Sequence, residues 1–156
     1  MSGYRVSASR SVPAELERSF DLVLTEPLPH IFSRRYGPFG PVSEVREQSG
    51  DAWGTVGQTR RIVLSDGGAV TERLTRVDRP EVFGYELSEV KGPLKAFVCT
   101  ISGEWRFEPA GTGTRITWTW VIEPASSVSR YALPVLGRLW RGYARQALEE
   151  VERILV

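Results

Sequence analysis

The sequence of 156 residues contains only one cysteine, Cys99, and only one histidine, His30. A single cysteine cannot form an intramolecular disulfide or a cysteine-based metal cluster. A single histidine excludes zinc sites that use two or three histidines, and a Ser-His-Asp or Cys-His arrangement would have to use His30 alone. We therefore expect no bound metal ion and no cofactor.

An excess of charge is also missing, because 20 Lys and Arg residues stand against 19 Asp and Glu residues. The net charge of +1 provides no overall field that favours nucleic acid or an anionic membrane. No run approaches the roughly 20 apolar residues that a membrane-spanning helix needs. The N-terminal residues lack the apolar stretch and cleavage site of a secretion signal. The sequence predicts a cytoplasmic protein that neither binds nucleic acid nor spans a membrane.

The composition is that of an ordinary globular protein, with 41% apolar and 25% charged residues. The sequence shows no internal repeat, linker or low-complexity tract, so we expect a single domain over residues 1–156. We expect that domain to be a monomer or a homodimer.

Apolar spacing predicts the elements at the two ends of the chain. Residues 4–12 alternate and predict a strand. Helical spacing after Pro13 predicts an amphipathic helix, which the prolines near residue 27 end, and residues 30–36 can form a short second helix. An apolar stripe over residues 129–155, which includes Trp140, predicts a long C-terminal helix.

The middle of the chain predicts six strands separated by glycine, proline and aspartate turns. They cover about 42–48, 55–64, 69–77, 82–89, 94–107 and 114–123. Short connections favour an antiparallel meander. The meander must bury one face, and the last helix carries a matching stripe. The predicted fold is α+β: a seven-stranded curved antiparallel sheet that grips the C-terminal helix, with two short helices between strands 1 and 2 and an apolar cavity inside.

Two charged residues, Arg60 and Glu72, fall on otherwise apolar strand faces. They lie on consecutive strands at similar distances from the turn at residues 66–68, which makes a cross-strand pair plausible. An unpaired buried charge is strongly unfavourable, so each must satisfy the other or a ligand. A structural ion pair and a ligand contact are both open and are compatible, because an arginine in an apolar chamber can hold a carboxylate or polarise a carbonyl.

Many aromatic residues also point inward in the predicted sheet. Any one of them can be core, but together they indicate a ring-lined chamber in which tyrosine O–H and tryptophan N–H groups orient an apolar guest. The candidate ligand-binding residues are Arg60, Glu72, Tyr85, Phe97, Trp105, Trp118, Trp120 and Trp140.

Four other features have an ordinary structural interpretation beside a functional one. His30 is either a base at the cavity mouth or a solvated helix-end histidine. Cys99 lies on the same predicted face as Phe97, and we expect it to be a small buried apolar residue. Residues 37–41 form either a portal lid or a rigid turn, and residues 89–94 are the other candidate for the rim.

Several short motifs resemble one known family. They are GQTR at residues 57–60, DGG at 66–68, ERL at 72–74, DRP at 78–80, and GEWRFEP at 103–109 followed by GTRITWTW at 113–120. With the element order, these resemble the START/pollen-allergen (SRPBCC) superfamily, and within it the bacterial polyketide cyclase/dehydrase-like group. The resemblance implies a helix-grip fold with a pocket between sheet and C-terminal helix. Its members bind lipids, sterols, polyketides and other hydrophobic molecules, and a few catalyse cyclisation and dehydration.

The sequence thus supports two main hypotheses of function. The first is a non-enzymatic protein that binds a small, lipid- or polyketide-like hydrophobic molecule. The alternative is a cyclase or dehydratase in which Arg60 stabilises an enolate and Glu72 or Tyr85 transfers a proton. A third class, an interaction partner of a macromolecule, has no charged patch or tail to support it.

Overall fold

A computed structural model describes residues 3–156. In chain order its elements are β1 (Tyr4–Val12), α1 (Leu16–Thr25), α2 (Leu28–Ile31), β2 (Val42–Arg46), β3 (Thr59–Leu64), β4 (Ala69–Asp78), β5 (Val82–Lys91), a 3-10 turn (Pro93–Ala96), β6 (Val98–Ala110), β7 (Gly113–Pro124), a second 3-10 turn (Ser129–Ala132) and α3 (Leu133–Leu155).

The seven strands form one antiparallel sheet in the order β1-β7-β6-β5-β4-β3-β2. Strands β2 to β7 are a simple meander, in which each strand pairs with the next one along the chain. β1 pairs with β7 along its whole length, from Tyr4 opposite Ile122 to Val12 opposite Thr114. The predicted fold class is confirmed, with two short helices after the first strand and a long helix at the C-terminus.

The apolar stripe of α3 packs directly on the sheet, because its large side chains have no other surface to cover. Trp140 and Val151 are fully buried. Gly137 lets the helix approach β1 closely, since a Cβ at this position would lie 2.7 Å from the Val6 Cγ1 atom. The 3-10 turn before Pro134 explains why regular helix begins later than residue 129. None of the helices within residues 3–156 is long and apolar enough to cross a membrane.

β3 begins at Thr59, later than the predicted start near residue 55. The preceding segment is a loop held by the side chain of Gln58, whose Oε1 atom accepts a hydrogen bond from the Gly54 N–H at 2.8 Å. Val56, which the apolar alternation of the predicted strand over residues 55–64 places on its inward face, is in fact exposed. The loop breaks the period of two before the strand starts.

The largest correction concerns the start of β6. A register shift between Val98 and Thr100 marks a bulge in the pairing with β7. The extra residue reverses the alternation, so Val98 and Ile101 both point inward. Cys99 is therefore exposed, and Phe97, which follows the 3-10 turn at Pro93–Ala96 and precedes the strand, is 39% exposed. The prediction that these two residues face the interior is wrong.

The second helix also differs from its prediction over residues 30–36. It is a single turn, Leu28–Ile31, that starts beside Pro29 and ends at Phe32. The residues after it lead instead into a turn at 37–41, in which Tyr36 and Phe39 exchange backbone hydrogen bonds of 2.9 and 3.0 Å.

Candidate functional site

An apolar cavity with a volume of about 100 Å³ lies against the inner face of the sheet. Strands β3 to β7 form one wall, and α1, α2 and residues 39–42 form the other. For scale, an apolar cavity of roughly 150 Å³ can hold benzene. The space is therefore on the scale of one small ring.

The C-terminal helix contributes less to this cavity than the sequence predicts. Of the α3 side chains, Tyr143 alone lines it. Trp140 fills the space between helix and sheet, with its ring centroid 4.9 Å from that of Trp118 and 5.4 Å from that of Trp120. The cavity therefore lies between the sheet and the first two helices, and not beneath the C-terminal helix.

The structure brings six of the eight candidate residues together in the cavity wall. These are Arg60, Glu72, Tyr85, Trp105, Trp118 and Trp120. Trp140 lies behind that wall in the core, and Phe97 lies on the protein surface. Of the eight residues, the latter two do not line the cavity.

Arg60 and Glu72 form a buried ion pair across β3 and β4, where they are direct register partners. The Arg60 Nε atom donates to the Glu72 Oε1 atom at 2.7 Å. The guanidinium carbon also lies 3.9 Å from the ring centroid of Trp53, a cation–π contact from the loop before β3. The predicted cross-strand pair is confirmed. Burial raises the pKa of Glu72, and the attraction of Arg60 offsets this only in part.

Tyr85 is the other polar group of the sheet wall. Its hydroxyl oxygen accepts a hydrogen bond from Trp118 Nε1 at 2.7 Å and another from Trp120 Nε1 at 3.0 Å. The expectation that indole N–H groups orient a ligand is therefore wrong for these two residues, since both are already used. Burial raises the pKa of Tyr85, as does the charge of Glu72, so the phenol is neutral at ordinary pH.

The turn at residues 37–41 closes the cavity on the side of the helices. Phe39 is buried, and its ring stacks on that of Tyr143 at a centroid distance of 5.3 Å. The Tyr143 hydroxyl donates to the Gly40 carbonyl at 3.0 Å and ties the turn to α3. The alternation of apolar residues along strands could not identify Phe39 as a cavity residue, because it lies in a turn and its burial depends on contacts with a distant helix.

The remaining predicted features are placed as follows. His30 is exposed on α2, and its Nδ1 atom lies 2.7 Å from the Glu26 carboxylate, which is the solvated helix-end arrangement. On the predicted rim at residues 89–94, Val90 and Leu94 line the cavity. Within the part of the chain that the structure describes, no three His, Cys, Asp or Glu side chains cluster as metal ligands would.

Comparisons with known proteins identify the fold. Residues 4–155 match the family model described as polyketide cyclase/dehydrase and lipid transport. No curated protein has a sequence that matches this one at a significant level.

Several solved structures share the architecture. The major latex-like protein 151 of Panax ginseng superposes with a TM-score of 0.76 at 13% identity, and the match covers 100% of this chain and 99% of that one. A protein from Nitrosospira multiformis gives 0.67 at 18% identity, with 98% and 97% covered. DynU16, a putative protein in the dynemicin biosynthetic locus, gives 0.62 at 18% identity, with 97% of this chain and 46% of that chain covered. At these identities the likeness establishes the fold alone.

Proposed function

The chain belongs to the polyketide cyclase/dehydrase and lipid transport family, and we propose that it binds a small hydrophobic molecule in the cavity beside the sheet. The observation that carries this proposal is the chemistry of the cavity wall. Aliphatic and aromatic side chains from strands β2 to β7 and from all three helices converge there, and the polar residues Arg60, Glu72 and Tyr85 are grouped on the sheet side. A mostly apolar cavity with a few placed polar groups is the usual form of a small-molecule site.

The aromatic rings of the wall are held rigidly, which favours binding over collapse. Trp105 and Trp118 stack with a centroid distance of 4.8 Å and an interplanar angle of 10°. Both indoles are buried, and Trp118 is fixed further by its hydrogen bond to Tyr85. A preorganised wall loses little conformational entropy when a guest enters, so more of the apolar contact energy appears as affinity.

A cavity-filling variant tests the proposal. Val23 is a buried wall residue on α1, and Val23→Phe places a ring in the cavity. We expect wild-type protein to bind toluene in a calorimetric titration and Val23→Phe to lose that binding. The matched control is Val135→Phe, which changes an exposed valine of α3 and should bind as wild type. Equal binding by both variants would place the toluene outside the cavity and refute the proposal.

A second candidate function is a cyclase or dehydratase that uses the same cavity. It is favoured by one observation, the presence of Arg60, Glu72 and Tyr85 in one wall. In such a reaction the Arg60 guanidinium would stabilise an enolate oxygen, while Glu72 would accept or return the proton at carbon. Glu72→Gln removes the proton transfer without a large change of shape. If turnover of a genuine substrate survives this change, the enzymatic hypothesis fails.

A further inference from the structure

The Tyr85 hydroxyl has a hydrogen-bonding capacity that its protein partners do not use. A phenol oxygen accepts hydrogen bonds through its lone pairs and donates one through its own proton. An indole N–H can only donate, so Tyr85 is the acceptor in both contacts, at 2.7 Å from Trp118 and 3.0 Å from Trp120. The proton of Tyr85 is therefore left available for a third group.

That third group does not come from residues 3–156. The hydrogen bonds of Tyr85 within this range are the two from the indoles, and neither uses its proton. Tyr85 is 6% exposed and lines the cavity, so the cavity is where an acceptor for this proton can lie. Leaving a buried donor without an acceptor is unfavourable, and the two bonds it accepts strengthen it as a donor.

We propose that the ligand carries an uncharged carbonyl oxygen and that the Tyr85 hydroxyl donates a hydrogen bond to it. This inference rests on the proposed function, since it names the chemical class of the molecule bound in that cavity. A carbonyl oxygen accepts two hydrogen bonds and brings no proton that needs an acceptor. It therefore suits a wall whose other donor, the Arg60 guanidinium, makes one hydrogen bond, through Nε, within the described part of the chain.

The charges of the wall decide against a carboxylate ligand. The positive charge of Arg60 is already balanced by Glu72 at 2.7 Å. Glu72 is near enough to Tyr85 for its charge to favour the protonated phenol. A second carboxylate at the Tyr85 hydroxyl would lie in the field of Glu72 with no free cation to compensate, and this repulsion is strong in a buried site.

Three probes of nearly the same shape test the inference. Acetophenone carries a carbonyl oxygen, α-methylstyrene replaces that oxygen by a methylene group, and benzoate replaces the methyl group by a charged oxygen. Their dissociation constants are measured by calorimetry for wild type and for Tyr85→Phe. We expect Tyr85→Phe to weaken acetophenone about five- to tenfold relative to α-methylstyrene, which corresponds to one lost hydrogen bond. Benzoate should bind wild type more weakly than acetophenone does.

The control is Tyr131→Phe, which removes the same atom from an exposed tyrosine that does not line the cavity. The ratio of the affinities for acetophenone and α-methylstyrene should therefore stay at the wild-type value. If Tyr85→Phe does not fold, the hydrogen bond is tested in the wild-type protein by the infrared carbonyl stretching band of bound acetophenone. A band at lower wavenumber than in hexane supports the hydrogen bond, and a band at the hexane position refutes it.

The other outcomes separate this inference from the function on which it rests. Binding of acetophenone and α-methylstyrene with an unchanged ratio in Tyr85→Phe would refute the role of the hydroxyl and leave cavity binding intact. Tighter binding of benzoate than of acetophenone would show that a charged ligand oxygen accepts from Arg60, and would refute the uncharged carbonyl. Failure of all three probes to bind wild type would overturn both proposals.

Discussion

The ring of Tyr85 lies over Gly103, its direct partner on the neighbouring strand. A Cβ atom at residue 103 would overlap the tyrosine ring. Gly103 is also the register partner of Trp120 on the other side. The missing side chain in β6 therefore lets Tyr85 reach across from β5 to the two indoles of β7.

We expect Gly103→Ala to lower the free energy of unfolding by about 2–4 kcal/mol, because the methyl group displaces the Tyr85 ring and disrupts its hydrogen bonds. Urea denaturation followed by tryptophan fluorescence measures the change. Gly84→Ala is the control: its Cβ would meet nothing nearer than Thr75 Oγ1 at 3.4 Å, so a loss below about 1 kcal/mol is expected. Equal losses in the two variants would mean that Gly103 has no special role.

Glu72 should make stability depend on pH. Its pKa is raised by burial above the ordinary value of 4.5. Such a group stabilises the fold fully below its unfolded pKa, and this contribution is lost as the pH rises through its folded pKa. We therefore expect the free energy of unfolding of wild type, measured against that of Glu72→Gln, to fall as the pH rises above the ordinary range of a glutamate.

The control for this measurement is Glu44→Gln. Glu44 pairs with Arg46 on the surface, where a hydrogen bond from Arg46 lowers its pKa. The contribution of Glu44 to the free energy of unfolding should therefore increase with pH, and solvent makes it small because the pair is exposed. A rise with pH for Glu72 would show instead that the attraction of Arg60 outweighs burial.

Phe39 should limit the size of the guest. Its buried ring closes the cavity between Tyr143 and Trp120, with centroid distances of 5.3 and 6.0 Å. Phe39→Ala should improve the affinity for naphthalene relative to benzene by about tenfold, since the second ring occupies the space vacated. Phe97→Ala, at an exposed phenylalanine outside the cavity, should leave this ratio unchanged. An unchanged ratio in Phe39→Ala would show that the turn does not set the size limit.

The bulge at the start of β6 has a direct chemical test. Because Cys99 is exposed, a water-soluble thiol reagent such as Ellman's reagent should modify one thiol per chain under native conditions. Reaction only after unfolding would mean that Cys99 points inward and that the strand is regular.

The antiparallel meander from β2 to β7 could be predicted from the sequence because it follows from local rules, whereas the pairing of β1 with β7 joins the two ends of the chain and was not predicted. Alternating apolar residues and turn residues locate the strands, and short connections make neighbours antiparallel. The pairing of Arg60 with Glu72 was also predictable, since a tight turn at residues 66–68 fixes the register of the strands it joins.

The tertiary structure decided where the cavity lies and which polar groups remain free in it. The bulge in β6 placed Cys99 outside, the 3-10 turn before β6 left Phe97 exposed, and Trp140 filled the space under α3. The Tyr85 hydroxyl accepts hydrogen bonds from the indole N–H groups of Trp118 and Trp120, which lie 33 and 35 residues away in the sequence. The sequence by itself determines elements and faces, which depend on near neighbours. These contacts join side chains far apart in the chain, so their geometry is set only when all seven strands and the three helices pack together.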